Sequence, residues 1–446
     1  MPRSLGFDLC RDYEGKAGDR LRCRAGRPDE RGGGIRGRTG GSRWQDHHWQ
    51  SARRPARVLP GDHQGTVRVS RPRVGREKAI QPAGADPRNH QARPAGERWD
   101  SAAAARCGPD LAFKVILIDY DEDLFAPQDW VGKELARHGI EWVVGQHRTP
   151  EAALEAARTG DVVMIQSARP LLTRAVIEQL KRCRCVVRLG IGYDNIDVVA
   201  ATEQGILVCN VPTYCVDDVA DHTLALLMDG VRRIARQDRW IRAGRWDRTG
   251  ARHARRTKGC TLGFVAFGRI ARALAERVSG FGMTLLAYDP YVDAETIARY
   301  GAQKVELDEL LRRADFISVH CPLTGETHHL LSAREFSLMK EGVFIVNTSR
   351  GPVIDESALV EALRSGKVWG AGLDVFEHEP LPLDSPLREF DTVTFTPHVG
   401  ANSEESVADL YRTGCQIAID VYNGRWLQGV VNPEVESTTP YPYRRD

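Results

Sequence analysis

The segment Thr261–Val292, TLGFVAFGRIARALAERVSGFGMTLLAYDPYV, constrains the fold more than any other stretch of the chain. A short apolar strand, Leu262–Ala266, runs into a turn and then a helix, Arg269–Val278; a second strand, Thr284–Tyr288, stops at Asp289. This is the layout of a dinucleotide-binding βαβ unit. The three small-residue positions of the usual G-x-G-x-x-G/A turn fall on Ala266, Gly268 and Ala271. Gly268 keeps the position where the backbone must approach a pyrophosphate, and alanine at the third position is an accepted variant. Ala266 departs from the pattern, because glycine there serves a tight turn that a Cβ crowds. Asp289 stands 21 residues after Gly268, close to the spacing of an acid that binds an adenosine ribose. A carboxylate there repels a 2′-phosphate, so the expected cofactor is NAD rather than NADP. The competing reading is an ordinary βαβ unit with no cofactor.

A similar alternation begins at Phe113. FKVILIDYD reads as a strand through Val115–Ile118. A helix over Val131–His138, a strand over Glu141–Val144, an Ala-rich helix over Pro150–Thr159, a strand over Asp161–Ala168 and a helix over Thr173–Lys181 follow. Such alternation predicts right-handed βαβ units on a parallel sheet. From about Val216 to Arg236 apolar residues recur at spacings of three and four, which predicts one long amphipathic helix. Asp217 and Asp218 in its first turn complement the helix dipole. A polar loop with Trp240 and Trp246 leads to a second α/β block, Thr261 to about His398, and a helix over Glu404–Tyr422 and a polar tail close the chain.

Before Phe113 the character is different. Of the 446 residues, 1–110 carry 23 Lys+Arg against 13 Asp+Glu, so their net charge is +10 and that of the remainder is −8. Arg, Gly, Pro and His dominate, no period of 2 or 3.6 is sustained, and apolar residues are too few to offset the entropy of ordering the chain. Residues 1–112 read either as a disordered basic arm for nucleic acid or acidic partners or as an extension without function, with the working start near residue 110. The second reading is preferred, because the arm has no regular RGG or Lys-block pattern. The ten cysteines are scattered, and the Cys183/Cys185 spacing suits neither a redox CxxC nor a zinc site. No metal is expected. Neither a signal-peptide core nor a run of about 18 apolar residues is present, so a cytoplasmic protein is the default expectation.

Three further segments end strands in polar groups: VFIVNTSRGPVIDE with Arg350, AGLDVFEHEP with Asp374, Glu377 and Glu379, and TVTFTPHVGANS with His398. Ligands of parallel α/β sheets bind at the carboxyl ends of strands. Arg350, Glu379 and His398 are therefore expected at the same edge as the glycine turn. Singly, each has a bland reading: a surface ion-pair partner, a loop acid, a capping residue.

These segments, with RLGIGYDNIDVVAATEQGILVCNVPTYCVDDVADHTLALLM, resemble the D-isomer-specific 2-hydroxyacid dehydrogenases, which include phosphoglycerate, glycerate and D-lactate dehydrogenases and the C-terminal-binding-protein corepressors. The resemblance covers about residues 113–432. It implies two Rossmann-like α/β domains with parallel sheets and the active site in the cleft between them. The substrate-binding domain would span 113–214, completed by 400–432, the NAD-binding domain 215–399, and a tail 433–446. It implies that Arg350 binds the substrate carboxylate and keto oxygen, that His398 is the general acid/base and that Glu379 is the acid paired with it. Asp374 would lie near the nicotinamide, Arg269 and Ile270 with Gly268 at the pyrophosphate, and Thr348, Ser349, His398 and Gly400 at further cofactor contacts. The loop Gly190-Ile191-Gly192 would donate backbone N–H groups to the substrate carboxylate. A homodimer formed through the cofactor domain is also implied.

The residue types fit reduction of a 2-keto acid, which puts a hydride on carbon and a proton on oxygen. Histidine suits the proton because its reference pKa of about 6.5 lies near working pH, and a neighbouring carboxylate favours its charged form. Arginine grips a carboxylate in bidentate fashion and stabilises charge developing on the keto oxygen. Gln166 stands where phosphoglycerate dehydrogenases tend to carry an arginine for the phosphate, which argues against 3-phosphoglycerate. The loop Val399–Asn402 lacks the aromatic residue of the corepressor-like branch, although RLGIGYDNID and VCNVP resemble that branch. The alternative to an enzyme is an NAD(H)-sensing protein of corepressor type. Other polar residues take bland readings: His222 on a helix face or interface, His320 and Cys321 at a sheet edge, His328 and His329 solvated.

Overall fold

A computed structural model describes residues 112–121 and 124–445. The expected N-terminal extension, 1–112, lies outside the described residues except for Ala112. Among the described residues, twelve strands form two sheets, and every strand pair within them is parallel.

The first sheet contains β1 (Lys114–Asp119), β2 (Glu141–Val144), β3 (Val162–Ile165), β4 (Cys185–Arg188) and β5 (Leu207–Asn210), in the order β2-β1-β3-β4-β5. All residues of β3, β4 and β5 are buried. Continuous apolar strands of this kind are what a parallel sheet covered on both faces requires. The helix Glu404–Tyr422 returns from the far end of the chain to cover one face. Its Val407, Leu410, Tyr411, Cys415 and Ala418 pack with Val115, Met164, Val187 and Cys209. Tyr411 donates to the carbonyl of Phe125 at 2.7 Å. Gly414 lets the helix approach, since a Cβ there would stand 2.6 Å from Leu189 Cδ2.

The second sheet contains β6 (Thr261–Val265), β7 (Thr284–Tyr288), β8 (Ala302–Lys304), β9 (Phe316–Val319), β10 (Val343–Asn347), β11 (Val368–Leu373) and β12 (Val393–Phe395), in the order β12-β11-β10-β9-β6-β7-β8. The strand order reverses between β6 and β9, and the crevice at such a switch point is where doubly wound sheets bind ligands. Two apolar clusters cover its faces, one including the helix Glu356–Ser365 and the other the helices Val216–Arg232 and Arg269–Val278.

Three expectations need correction. The long amphipathic helix stops at Arg232, because Arg233 takes φ +63 and its N–H returns to the Asp229 carbonyl. Asp229 Oδ1 caps the N–H of Ala235, and a separate helix, Ile234–Arg242, takes in Trp240. The apolar spacing runs on through Ile234, yet that side chain is 60% exposed. Second, the expected helix at Thr173–Lys181 is helical only over Arg174–Ile177; Gln179 and Leu180 continue as turns with bonds to Val176 and Ile177. Third, the polar tail is tied to the first sheet's core. Asn432, fully buried, binds the Val208 N–H and the Ile206 carbonyl, Pro433–Ser437 forms a 3-10 turn, and Tyr443 packs on the first core.

Candidate active site

The ends of β10, β11 and β12 build one corner. Asn347, 1% exposed at the end of β10, accepts from the N–H and Oγ of Ser349 and donates from Nδ2 to the Arg350 carbonyl at 2.9 Å. This folds the Thr348–Arg350 loop back on its own strand. Thr348 Oγ1 shares a hydrogen bond of 2.8 Å with Thr223 Oγ1 on the helix Val216–Arg232. The Arg350 guanidinium donates from Nη1 to the Ser349 carbonyl at 2.8 Å and from Nε to Asp194 Oδ1 at 3.1 Å.

Beyond β11, Phe376 N–H donates to Glu379 Oε1 at 3.0 Å, while Oε2 of the same carboxylate meets His398 Nδ1 at 2.8 Å. A carboxylate held by the backbone on one oxygen fixes the imidazole with the other. His398 Nε2 then has no hydrogen-bond partner among the described residues, and the ring is 35% exposed. Two reciprocal bonds brace the Glu379 loop: Glu377 N–H donates to Glu356 Oε1 at 2.6 Å, and Glu356 N–H to Glu377 Oε1 at 3.1 Å. Burial pushes the Glu356 pKa up. His329 Nε2 joins Glu377 Oε1 at 2.8 Å, which corrects its reading as a merely solvated residue. Gly351 lies against this loop so closely that a Cβ would overlap the Phe376 carbonyl.

His398 sits at φ +55, a left-handed conformation that is strained for a side-chain-bearing residue. Asp374, 2% exposed, holds that turn. Its carbonyl accepts His398 N–H at 2.8 Å, Oδ1 accepts Val399 N–H at 2.9 Å and Thr396 Oγ1 at 2.6 Å, and Oδ2 accepts Gly400 N–H at 2.9 Å. His222 Nε2 lies 2.9 Å from Thr396 Oγ1 and 3.5 Å from Asp374 Oδ1. Burial opposes the charged form of Asp374, but the bonds from His222, Thr396, Val399 and Gly400 outweigh it and hold the carboxyl below its usual range.

The first sheet supplies the facing loop. Arg188, at the end of β4, is buried, and burial lowers its pKa to about 10. It donates from Nε to the Gly192 carbonyl at 2.9 Å and from Nη1 to the carbonyls of Leu189, at 2.5 Å, and Gln166. Asn210 Nδ2 holds the Ile191 carbonyl at 2.7 Å. Gly190-Ile191-Gly192 is therefore pinned by its carbonyls. Gly192 also makes room for Arg350, since a Cβ there would overlap its Nη2.

A second corner lies at β6 and β7. Ala266 takes φ +71 and donates its N–H to the Tyr288 carbonyl at 2.8 Å. Asp289 Oδ2 accepts the Phe267 N–H at 2.8 Å, and Oδ1 accepts those of Tyr291 and Val292. Gly268 begins the helix Arg269–Val278 with no side-chain cap, and a Cβ there would meet nothing within 4 Å. The first-turn N–H groups of such a helix are open to an anion. At the switch point, His320 is bonded to Ser318 Oγ at 2.8 Å, and burial lowers its pKa to about 3. Among the described residues no cluster of His, Cys, Asp and Glu suits a metal ion.

Comparison with known proteins decides the family. Residues 224–400 match the family model of the D-isomer specific 2-hydroxyacid dehydrogenase, NAD binding domain. A glyoxylate reductase of Korarchaeum cryptofilum is 40% identical over 270 residues, covering 59% of this chain and 81% of that protein. The chain belongs to the D-isomer specific 2-hydroxyacid dehydrogenase family. A D-3-phosphoglycerate dehydrogenase of Methanocaldococcus jannaschii is 40% identical over 290 residues, covering 64% of this chain but 54% of its own length. The chain thus spans little more than half of the phosphoglycerate dehydrogenases it matches. Among solved structures, D-lactate dehydrogenase from Aquifex aeolicus, complexed with NAD and lactic acid, is 28% identical with a TM-score of 0.63 and covers 70% of this chain and 96% of its own. A glyoxylate reductase from Paecilomyes thermophila is 29% identical with a TM-score of 0.66, covering 72% and 99%.

The dehydrogenase fold thus brings His398 to Glu379, and Arg350 to the Gly190–Gly192 loop. It ties Asp374 to Gly400, and Asp289 to the glycine turn. Thr348 and Ser349 lie on the Arg350 loop, while Gly268, Arg269 and Ile270 stand apart at the corner formed by β6 and β7. Sequence reasoning missed His222, Thr223, Asn347 and Asp194. Thr223 falls within the helix's apolar stripe, and His222 stands beside it, where spacing alone cannot tell a solvated face from one laid on strand ends.

Proposed function

We propose that the chain is an NAD-dependent oxidoreductase transferring a hydride between NAD(H) and a small D-2-hydroxy acid/2-keto acid pair. The reading rests on the His398–Glu379 pair, 2.8 Å apart, on the strand-end corner that also carries Arg350. When bound, NAD supplies or accepts the hydride. The nucleotide corner fits it: the glycine turn leaves the first-turn N–H groups open where a Cβ on Gly268 would meet no protein atom. Gly268, Arg269 and Ile270 would hold the pyrophosphate, Asp289 the ribose, and Thr348, Ser349, Asp374 and Gly400 the nicotinamide side. The Asp289 carboxylate favours NAD over a 2′-phosphorylated cofactor.

Arg350 grips the substrate carboxylate together with the Gly190–Gly192 backbone, exchanging its Asp194 partner for the substrate. The remaining guanidinium N–H stabilises charge that develops on the keto oxygen. His398 holds the transferred proton on Nε2 and delivers it to that oxygen during reduction, or takes it from the hydroxyl during oxidation. Glu379, bonded to Nδ1, fixes the ring and its tautomer and stabilises the imidazolium.

Gln166 is 7% exposed, with Oε1 turned to the Asp121 N–H, and Arg169 is paired with Asp119. Neither is poised as a free cation for a phosphate, so an uncharged side chain on the keto acid suits the site better than 3-phosphoglycerate. The carboxylate–histidine pair favours turnover over a purely NAD-sensing, corepressor-type role. The exposed Ile234, Ile241 and Trp246 offer an apolar face for a second copy of the chain. The cysteines among the described residues are free thiols, as a cytoplasmic protein would keep them. Mixing the protein with NADH and glyoxylate, hydroxypyruvate, pyruvate and longer 2-keto acids is expected to consume NADH. Binding of NADH without turnover on any of them would exclude the enzyme reading in favour of a sensor.

A further inference from the structure

We infer that His222 is a positioning residue for the proton-transfer step: from the helix Val216–Arg232 it locks the turn that carries His398, acting through Thr396 and Asp374. This rests on the proposed dehydrogenase function and assigns a role to a residue outside the catalytic trio.

The hydrogen-bond directions leave little freedom. The Asp374 carboxyl is held in its charged form, so both of its oxygens only accept. Thr396 Oγ1, 2.6 Å from Oδ1, must therefore donate its single proton to Asp374. Its oxygen is then an acceptor toward His222 Nε2 at 2.9 Å, which requires the proton of His222 to sit on Nε2. The chain of donors runs from His222 to Thr396 to Asp374, and Asp374 receives Val399 and Gly400 N–H at 2.9 Å each. Those two amides immediately follow His398, whose own N–H is fixed by the Asp374 carbonyl at 2.8 Å. His398 stays in its left-handed conformation only because surrounding bonds over-determine it. Geometric room points the same way: a Cβ on Gly400 would stand 2.9 Å from Asp374 Oδ2 and 3.3 Å from His222 Cδ2, so imidazole, carboxylate and turn are packed in direct contact.

Removing the imidazole leaves Thr396 Oγ1 with an unused acceptor and Asp374 without its third-side support. The turn loosens, and His398 loses alignment with the keto oxygen. Arg350 belongs to a different loop, tied down by Asn347, and keeps its grip on the substrate carboxylate. The signature is therefore a fall in kcat with little change in KM.

The test uses the full chain with His222→Ala and His222→Gln, since a glutamine amide can place an N–H near the Nε2 position. Expected for His222→Ala are a kcat at least tenfold lower with the best keto acid of the panel and a KM within about threefold. In the cofactor-free protein, hydrogen exchange should be at least tenfold faster at the Val399 and Gly400 amides and unchanged in β6 and β7. His222→Gln should restore most of both effects. Wild-type kcat and amide protection in His222→Ala, or equal defects in the Ala and Gln variants, would overturn the inference. If the wild type turns over no keto acid, the enzyme reading fails, and the exchange measurement still decides whether His222 holds the turn.

Discussion

Arg350 and Asp194 form a 3.1 Å ion pair between the loop after β10 and the loop after β4, so the two sheets meet at the arginine proposed to bind the substrate. The pair is partly exposed, and its stabilisation of the fold is about 0–1 kcal/mol. Its importance is geometric. Nε is taken by Asp194 and Nη1 by the Ser349 carbonyl, which leaves Nη2 pressed against Gly192.

Gly192→Ala tests that geometry. The added methyl overlaps Nη2, the far end of a flexible side chain, so the arginine swings aside while the fold persists. A melting temperature within a few degrees of wild type is expected, with kcat/KM at least about a hundredfold lower, because a displacement of about 1 Å at a positioning group has effects of that order. An unchanged KM for the keto acid would show that Arg350 does not bind the substrate from this position.

His398→Asn should lower kcat by roughly 10²–10⁴-fold, the range attributed to a positioned acid–base group. NADH affinity, measured by fluorescence titration, should stay close to wild type, because the nucleotide corner is built from other residues. Glu379→Gln should lower kcat less, since the amide oxygen can still accept from Nδ1, although its NH2 then faces the Phe376 N–H and no carboxylate charge is left to stabilise the imidazolium. Full activity of His398→Asn would remove His398 from the proposed chemistry, and full activity of Glu379→Gln would remove the carboxylate's charge from it.

Much of this site was legible in sequence because its groups sit at strand ends. The run VFIVN ends in Arg350 three residues on, and GLDVF ends near Glu379, so recognising the strands places the side chains at one sheet edge. The glycine turn was legible for the same reason, and the departure at Ala266 coincides with a left-handed residue. What escaped depended on long-range packing. The break at Arg233 follows from the Asp229 carboxylate capping Ala235 and from the guanidinium lying over Trp369, more than a hundred residues away. His222 looked like any polar residue on a helix until Thr396 and Asp374, from two different strand ends, came beneath it.

Half-buried His320 makes stability depend on pH. Its folded pKa is lowered by burial to about 3, below the unfolded value of 6.5, so the unfolded chain binds the proton first as pH falls. The contribution is fully present above about pH 6.5 and is lost as pH falls from there toward 3. Between pH 7 and pH 5 the loss from this group amounts to about 2 kcal/mol. Urea unfolding at the two pH values should therefore show a smaller pH dependence for His320→Gln than for wild type, by roughly that amount. Identical pH dependence in both proteins would mean that His320 becomes charged in the folded state.

Ala266→Gly separates strain from crowding at the cofactor turn. Ala266 sits at φ +71, which costs an alanine about 1–2 kcal/mol relative to the right-handed region. Glycine removes that cost but loses about 0.5–1 kcal/mol more backbone entropy on folding, so a net gain of about 0.5–1 kcal/mol is expected. For a domain of this size the melting temperature should rise by about 1–3 °C. If the methyl also stands in the path of the pyrophosphate, calorimetric titration will show tighter NADH binding, by about two- to fivefold for a comparable energy. A higher melting temperature with unchanged affinity would place the penalty in the backbone alone. Unchanged values of both would show that the turn accommodates alanine without strain and that Gly268 alone sets the approach of the cofactor.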